Sequence, residues 1–345
     1  MRKATRIAPA MLGAIGLAVS AGTAFAADVK EIGSFHIGGQ QLTLQGLPVK
    51  ELVYTAGGPP TKMDPNGDFH TGQMYVQYVK LANPKARYPL LLWHGGGLTG
   101  VTWETKPDGK PGWQMYFINA GHDVYVSDAV ERGRASWSRF PEVYTGEPVF
   151  RTKKEAWEAF RIGPDGSYAT EPAQRKSHAG QLFPIAAFDA FAMQSVPRWV
   201  SNDAKTQAAY NALVAKVCPC VIVVHSQGGN FGFNAAMAAP DKVKGLIVVE
   251  PSGAPPETAN LAAVKDVPQL IVWGDYMAQS ELWTKLSQAS LKYHKALAGM
   301  GGKVDLVSLP EKGIKGNGHM LMMDTNSDQV AELVQKWMAD RGLMQ

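Results

Sequence analysis

The stretch that decides the fold runs Val221-Ile222-Val223-Val224-His225-Ser226-Gln227-Gly228-Gly229. Its apolar residues predict a buried strand that ends at a serine, and the small residues after the serine predict the start of a helix. So tight a turn lifts the serine hydroxyl above the sheet edge and requires small residues two positions before and after it. Gly228 meets that requirement but Val224 does not, so we expect an opened turn or compensation by Gly229. Ser226 is therefore the candidate nucleophile, with an ordinary strand-to-helix turn as the alternative.

Apolar runs of similar length recur along the chain, as is typical of a parallel sheet whose two faces are covered. We expect buried strands at residues 89–93, 123–127, 221–224, 245–249, 269–273 and 303–309. Helical patterns alternate with them at residues 112–120, 228–239, 280–299 and 327–340. Before these, alternating apolar residues predict antiparallel edge strands at 35–44, 49–54 and 73–79. The order predicts the α/β class, with a mostly parallel, doubly wound sheet and antiparallel N-terminal strands.

One long region carries no clear strand, between residues 128 and 221. Bare loops of this length are uncommon in compact domains, and helical patterns appear in it at 154–160, 184–194 and 203–216. We therefore predict an inserted helical cap at about residues 130–200, named the cap segment below, within a single domain of residues 27–345. Ligands bind at the carboxyl ends of strands in open α/β sheets, so a cap lying there would shape a substrate pocket.

The N-terminus has the features of an export signal. Arg2, Lys3 and Arg6 precede a small-apolar stretch at residues 8–19, and Ala24-Phe25-Ala26 offers a cleavage site. We predict a signal peptide of residues 1–26 and a periplasmic or extracellular protein, with an uncleaved anchor as the alternative. The apolar stretch is too short for a good membrane span, so no stable membrane insertion is expected after the leader is removed. The oligomeric state is not predicted by any pattern.

The charge of the chain excludes one class of partner. The formal net charge is +4, and removal of the leader with its three basic residues leaves +1. A nearly neutral chain with interspersed charges lacks the basic surface that nucleic-acid binding requires. We therefore expect no nucleic-acid partner.

The two cysteines, Cys218 and Cys220, are separated by a single proline. Export permits a disulfide between them, but so tight a ring is strained, and two buried thiols are an equal alternative. Two sulfurs without further cysteine or histidine ligands at suitable spacing do not predict a metal site.

A second strand ends in a glycine run, at His94-Gly95-Gly96-Gly97. Such a run lets backbone N–H groups approach a developing oxyanion without interference from side chains. We assign one donor to the N–H of Gly96 and the other to the N–H of Gln227, with Gly95 or Gly97 able to replace Gly96. The run lacks the motifs of phosphate-binding loops, and no cofactor is expected. His94 is interpreted as a brace for this loop.

A nucleophilic serine needs an adjacent base, and in this type of site the chain order is serine, acid, histidine. Of the histidines after Ser226, His294 lies in a predicted helix, whereas His319 lies in a glycine-rich loop after the last strand. We therefore assign the base to His319. Two acids follow strands at the same sheet edge, Glu250 and Asp275, and either could orient the imidazole. General topology favours Asp275.

The motifs together resemble those of a small group of secreted bacterial serine esterases in the α/β-hydrolase superfamily. The resemblance rests on Val249-Glu250-Pro251-Ser252-Gly253, on the run from His94 to Thr105, and on Gly316-Asn317-Gly318-His319-Met320. It covers nearly the whole mature chain and implies the α/β-hydrolase fold with Glu250, after strand six, as the acid, so Asp275 becomes the alternative. The group carries adjacent cysteines in the oxyanion loop, where this chain has Gly96 and Gly97, which implies a more flexible loop.

The predicted activity is hydrolysis of a small-molecule carboxylic ester through Ser226, His319 and Glu250 and an acyl-enzyme. An amidase or peptidase, or a cofactor-free lyase or perhydrolase, could use the same residues. A non-catalytic binding protein on this fold is the alternative from another class, because fold alone does not determine function. The acyl and alcohol preference depends on the cap segment and is not predicted.

Overall fold

The structure is a computed structural model that describes residues 27–345. The predicted leader, residues 1–26, lies outside the described residues.

A single large sheet organises the described chain, and within residues 27–345 it contains eight strands in the order β1-β4-β6-β5-β7-β8-β9-β10. These strands are β1 (Val29–Leu44), β4 (Gly67–Leu81), β5 (Leu90–Trp93), β6 (Val124–Asp128), β7 (Cys220–His225), β8 (Val243–Val249), β9 (Gln269–Trp273) and β10 (Val304–Ser308). Strands β1 and β4 pair antiparallel with each other, and β4 pairs antiparallel with β6. All other pairs in the sheet are parallel, so the predicted α/β-hydrolase fold is confirmed.

One predicted antiparallel strand is present but lies outside the large sheet. The segment predicted at 49–54 forms β2 (Lys50–Leu52), which pairs only with β3 (Thr61–Met63) in a separate two-stranded sheet. All three residues of β2 are exposed, so its alternating pattern has no core to face. Alternation predicts a strand, but it does not say which sheet the strand joins.

Helices cover both faces of the large sheet. They are α1 (Val101–Glu104), α2 (Trp113–Asn119), α3 (Lys153–Ala159), α4 (Phe188–Ala192), α5 (Asp203–Val217), α6 (Gly228–Ala238), α7 (Glu281–Gly299) and α8 (Ser327–Asp340). The side chains of α5, α6 and α7 belong to one hydrophobic core, and those of α2 and α8 to the other. Successive residues of β7 alternate between them: Val221 and Val223 face one core, and Ile222 and Val224 face the other. This burial on both faces explains the uninterrupted apolar runs.

The region between β6 and β7 divides into two parts. Helix α5 packs on β1, β4 and α6, so it covers the sheet. The cap segment itself contains α3, α4 and short 3₁₀ turns. Its aromatic side chains pack on one another: Trp157 meets Phe188 edge-on at 4.9 Å between ring centroids, and Phe160 meets Phe191 at 5.8 Å. These rings belong to the same hydrophobic core as the side chains of α2 and α8, so the cap segment packs on that face of the sheet.

The two cysteines lie between α5 and β7 and form a disulfide, Cys218–Cys220. The structure therefore favours the bridged state over two buried thiols.

Candidate active site

Ser226 lies at the turn between β7 and α6, at the carboxyl edge of the sheet. Its φ is +54°, a left-handed conformation that is uncommon for a residue with a side chain. Backbone contacts hold the turn, because the Ser226 N–H donates to Val249 O at 3.0 Å and the Ser226 carbonyl accepts from the Gly229 N–H at 2.9 Å. The side chain remains partly exposed above the turn.

The bulky residue at the start of the turn, Val224, is accommodated by Gly232 on the second turn of α6. A Cβ on Gly232 would lie 2.9 Å from Val224 Cγ1, closer than real Cβ contacts allow. The expected compensation by Gly229 was therefore wrong in position, since a Cβ there would meet Val248 and Pro251 instead. Helix α6 can approach β7 closely because Gly232 has no side chain. This position lies one turn later in the helix than the motif suggests.

The glycine run after β5 passes directly beside Ser226. A Cβ on Gly95 would lie 2.9 Å from Ser226 Cβ, and one on Gly96 would lie 3.1 Å from Gln227 Oε1. Within residues 27–345, the N–H groups of Gly96 and Gln227 donate no hydrogen bond. Both assigned oxyanion donors therefore remain available, and bare backbone lies where a side chain would block them.

Two buried side chains hold this loop in place. The His94 Nδ1–H donates to Gly95 O at 2.8 Å, and His94 Nε2 accepts from the Ala129 N–H at 3.0 Å. Burial, aided by the charge of Arg132, lowers the pKa of His94 to about 4, so the ring is neutral at pH 7. Arg132 donates to Gly95 O at 3.3 Å and to Gln227 Oε1 at 3.2 Å, and so ties together the two sides of the predicted oxyanion hole.

The base and one acid candidate meet at the same edge. His319 Nδ1 lies 3.1 Å from Glu250 Oε2, and both side chains are fully buried. Glu250 follows β8 directly, with φ +53°, and its other oxygen accepts from the Gly274 N–H at 2.5 Å and from Arg161 Nη2 at 2.7 Å. A carboxylate on Nδ1 holds the imidazole in the tautomer whose Nε2 is a free acceptor.

The alternative acid, Asp275, holds the histidine loop and does not contact the imidazole. Its Oδ1 accepts from the Tyr276 N–H at 2.7 Å and its Oδ2 from the Gly316 N–H at 3.0 Å. The Asp275 N–H also donates to Asn317 O. Asp275 therefore fixes the start of the loop that carries His319.

The free edge of His319 is buried and chemically available. Within residues 27–345 its Nε2 has no hydrogen-bond partner, Ser226 included. Such bonds are often absent before substrate binds. The ring lies 4.5 Å between centroids from that of His225, the residue immediately before Ser226. Burial and the charges of Arg161 and Arg151 hold the pKa of His319 well below its usual value, so the ring is neutral at neutral pH.

Three side chains at the site escaped the sequence analysis, namely Arg161, Phe160 and Trp283. Trp283 lies against the His319 ring at 4.0 Å between centroids, and Phe160 stacks on it at 5.4 Å. Arg161 and Phe160 come from the end of α3 and Trp283 from α7, so no local motif links them to the histidine loop. The chain order alone offers no signal for them.

In the described part of the chain, no group of three or more histidine, cysteine, aspartate or glutamate residues is placed to hold a metal ion. Across residues 27–345, no helix combines the length and apolar character needed to span a bilayer.

The fold is similar to that of known hydrolases. No family model matches the chain. The probable secreted lipase phiG of Fungal sp. (strain ATCC 74256) is 26% identical over 79% of this chain and 87% of its own length. A solved structure described as a novel bacterial esterase superposes with a TM-score of 0.77 and 30% identity, over 92% of this chain and 97% of the esterase. Identity at this level over almost all of both chains shows that the chain belongs to the esterases of the α/β-hydrolase fold and is a hydrolase of the carboxylesterase type.

Proposed function

We propose that the chain hydrolyses small-molecule carboxylic esters with Ser226 as nucleophile, His319 as base and Glu250 as acid. The observation that carries the proposal is the buried His319–Glu250 contact of 3.1 Å, with Nε2 left free beside the strand that ends at Ser226. Imidazole, carboxylate and serine come from three separate loops at one sheet edge, which is the arrangement that serine activation requires.

In the proposed reaction, His319 Nε2 removes the Ser226 proton as Oγ attacks the ester carbonyl. The N–H groups of Gly96 and Gln227 hold the oxyanion, and the protonated imidazole then gives its proton to the leaving alcohol. Water, activated by the same imidazole, attacks the acyl-enzyme, and collapse of the second oxyanion releases the acid and restores the Ser226 hydroxyl. Glu250 stabilises the imidazolium throughout and is not itself protonated.

Ester hydrolysis is preferred over amide hydrolysis because the similar proteins are described as an esterase and as a lipase. An amidase would also cleave the anilide counterpart of a cleaved ester. A lyase would form no acyl-enzyme, and a perhydrolase would pass the acyl group to hydrogen peroxide in preference to water. Export is supported by the leader pattern at residues 1–26 and by the description of the fungal relative as secreted. Mass spectrometry of the mature N-terminus tests it, and a chain that keeps Met1 would refute cleavage.

Intact-mass spectrometry after treatment with a fluorophosphonate tests the nucleophile. We expect one adduct on the wild-type protein, placed on Ser226 by peptide mapping, together with loss of p-nitrophenyl ester hydrolysis. Ser226→Ala should neither label nor hydrolyse, because the proposed nucleophile is removed. Ser290→Ala, which removes a buried serine that bonds within α7, is the control and should behave as wild type. Ester hydrolysis that survives Ser226→Ala would refute the proposal.

A further inference from the structure

Arg161 reaches the acid of the site from the cap segment. It follows α3 directly, has a φ of +53°, and is 1% exposed. Its Nη2 donates to Glu250 Oε1 at 2.7 Å, and its Nε donates to Asp275 O at 2.9 Å. The Arg161 carbonyl accepts from Gln181 Nε2 at 2.7 Å, which fixes the backbone that presents the guanidinium.

The two residues before Arg161 hold the remaining parts of the site. The Phe160 carbonyl accepts from the His319 N–H at 2.9 Å, and the Phe160 ring stacks on the imidazole. The Ala159 carbonyl accepts from Trp283 Nε1, and Trp283 lies on another side of the same imidazole. Three consecutive residues of the cap segment therefore contact the acid Glu250, the base His319 and the Trp283 ring beside that base.

The ion pair between Arg161 and Glu250 is fully buried, with side-chain exposures of 1% and 0%. Isolated charges are costly in such surroundings, and removal of one partner leaves the other uncompensated. The Gly274 N–H and His319 would be the remaining neighbours of the carboxylate, and neither carries a fixed positive charge. Among these neighbours, the guanidinium supplies the fixed positive charge that compensates the buried Glu250 carboxylate beside His319 Nδ1.

We infer that Arg161 is a positioning residue, which pairs with Glu250 from the cap segment and holds its carboxylate oriented against His319. The inference rests on the proposed function, since it concerns the acid and base of that reaction. It assigns the end of α3 to the support of the acid and the base.

The pH dependence of activity follows from the titratable and charged groups that face His319. These groups are Glu250 after β8, His225 at the end of β7, Arg161 after α3 and Arg151 before α3. Burial also keeps the pKa of His225 well below its usual value, so that ring is neutral and adds no charge near pH 7. Loss of the Arg161 charge would make the imidazolium easier to form, because that charge lowers the pKa of His319. The acidic limb of the activity profile would therefore move to higher pH.

The test compares Arg161→Met, Arg161→Lys and a matched control. Arg161→Met should lower kcat by about 10- to 100-fold, the worth of one charge-assisted hydrogen bond, and raise the acidic limb by about half to one pH unit. Arg161→Lys keeps the charge but loses the fork, so kcat should fall while the limb stays near that of wild type. Arg175→Met is the control, since Arg175 is also a buried arginine of the cap segment, paired with Asp189, and has no contact at the site.

An NMR titration of the His319 imidazole measures the same shift without an activity assay. The imidazole signal is assigned by its loss in His319→Gln. The inference would be overturned if Arg161→Lys kept the wild-type kcat. It would also be overturned if Arg161→Met left both the acidic limb of the activity profile and the His319 titration where they are in wild type. If Arg161→Met does not fold, Arg161→Lys decides through its kcat. A wild-type protein that hydrolyses no ester would refute the proposed function, while the titration would still report whether Arg161 acts on His319.

Discussion

Individual residues at the site are held in conformations that a free chain rarely adopts. Ser226, Glu250 and Arg161 all have φ between +53° and +54°. Each such residue costs on the order of 1–3 kcal/mol and persists only where its neighbours determine it. Backbone bonds to the next strand do this for the first two, from the Ser226 N–H to Val249 O and from the Glu250 N–H to Val272 O. These two hydrogen bonds at the sheet edge thus stabilise the strained backbone that orients the Ser226 and Glu250 side chains.

The two acids provide a prediction at this scale. Glu250→Gln should lower kcat/KM by about 10⁴-fold, as expected when the group that sets the imidazole tautomer is lost. Asp275→Asn should cost about tenfold at most, because an amide oxygen can still accept one of the two backbone N–H groups that Asp275 serves. Hydrolysis of a p-nitrophenyl ester by the two variants checks this. A larger loss for Asp275→Asn than for Glu250→Gln would assign the acid to Asp275.

At the scale of elements, the close approach of α6 to β7 depends on a residue outside the motif that predicts it. The turn from β7 to α6 could be predicted because apolar runs and glycines reveal it locally. Gly232 could not, since its requirement arises from Val224, eight residues earlier, only after the helix has packed on the strand. The same reason applies to Arg161: its contact with Glu250 spans 89 positions, and side chains brought together by packing leave no mark on local sequence.

The packing of Val224 on Gly232 provides a prediction for these elements. Gly232→Ala should lower the free energy of unfolding by about 1–3 kcal/mol, because the new methyl overlaps Val224. Val224→Ala should reduce the cost of a second change to Gly232→Ala, with a coupling of about 1 kcal/mol in urea denaturation. Gly299→Ala is the control, since it adds a methyl to the end of α7 with no atom within 4 Å. Additive effects of the two substitutions would show that the helix shifts and relieves the overlap.

Across the whole molecule, the sheet brings residues that are far apart in sequence to one edge. The strand order, with β5 and β8 on either side of β7, places the glycine run and Glu250 beside Ser226. The parallel strands and the sheet class could be predicted, because buried parallel strands have a distinctive composition. The ends of these strands also indicate where Ser226, Glu250 and the glycine run lie. The arrangement of the cap segment could not be predicted, since its short helices pack through scattered aromatic residues with no periodic pattern.

The stability of the whole molecule should carry the signature of one buried carboxyl, Asp324, five residues after His319. Its Oδ2 accepts from Asn317 Nδ2 at 2.8 Å, its Oδ1 has no partner within residues 27–345, and burial raises its pKa from 3.8 to about 8. Between these values the folded chain holds a proton that the unfolded chain releases. The stability that this carboxyl contributes is therefore complete below about pH 4 and is lost as the pH rises towards 8, at about 1.4 kcal/mol per unit.

Asp324→Asn keeps an oxygen for Asn317 but cannot ionise, so its stability relative to wild type should rise across this range and level off above pH 8. Urea denaturation at several pH values measures the difference, with the exposed Asp328→Asn as control, and parallel curves for wild type and Asp324→Asn would show that Asp324 is ionised in the folded protein.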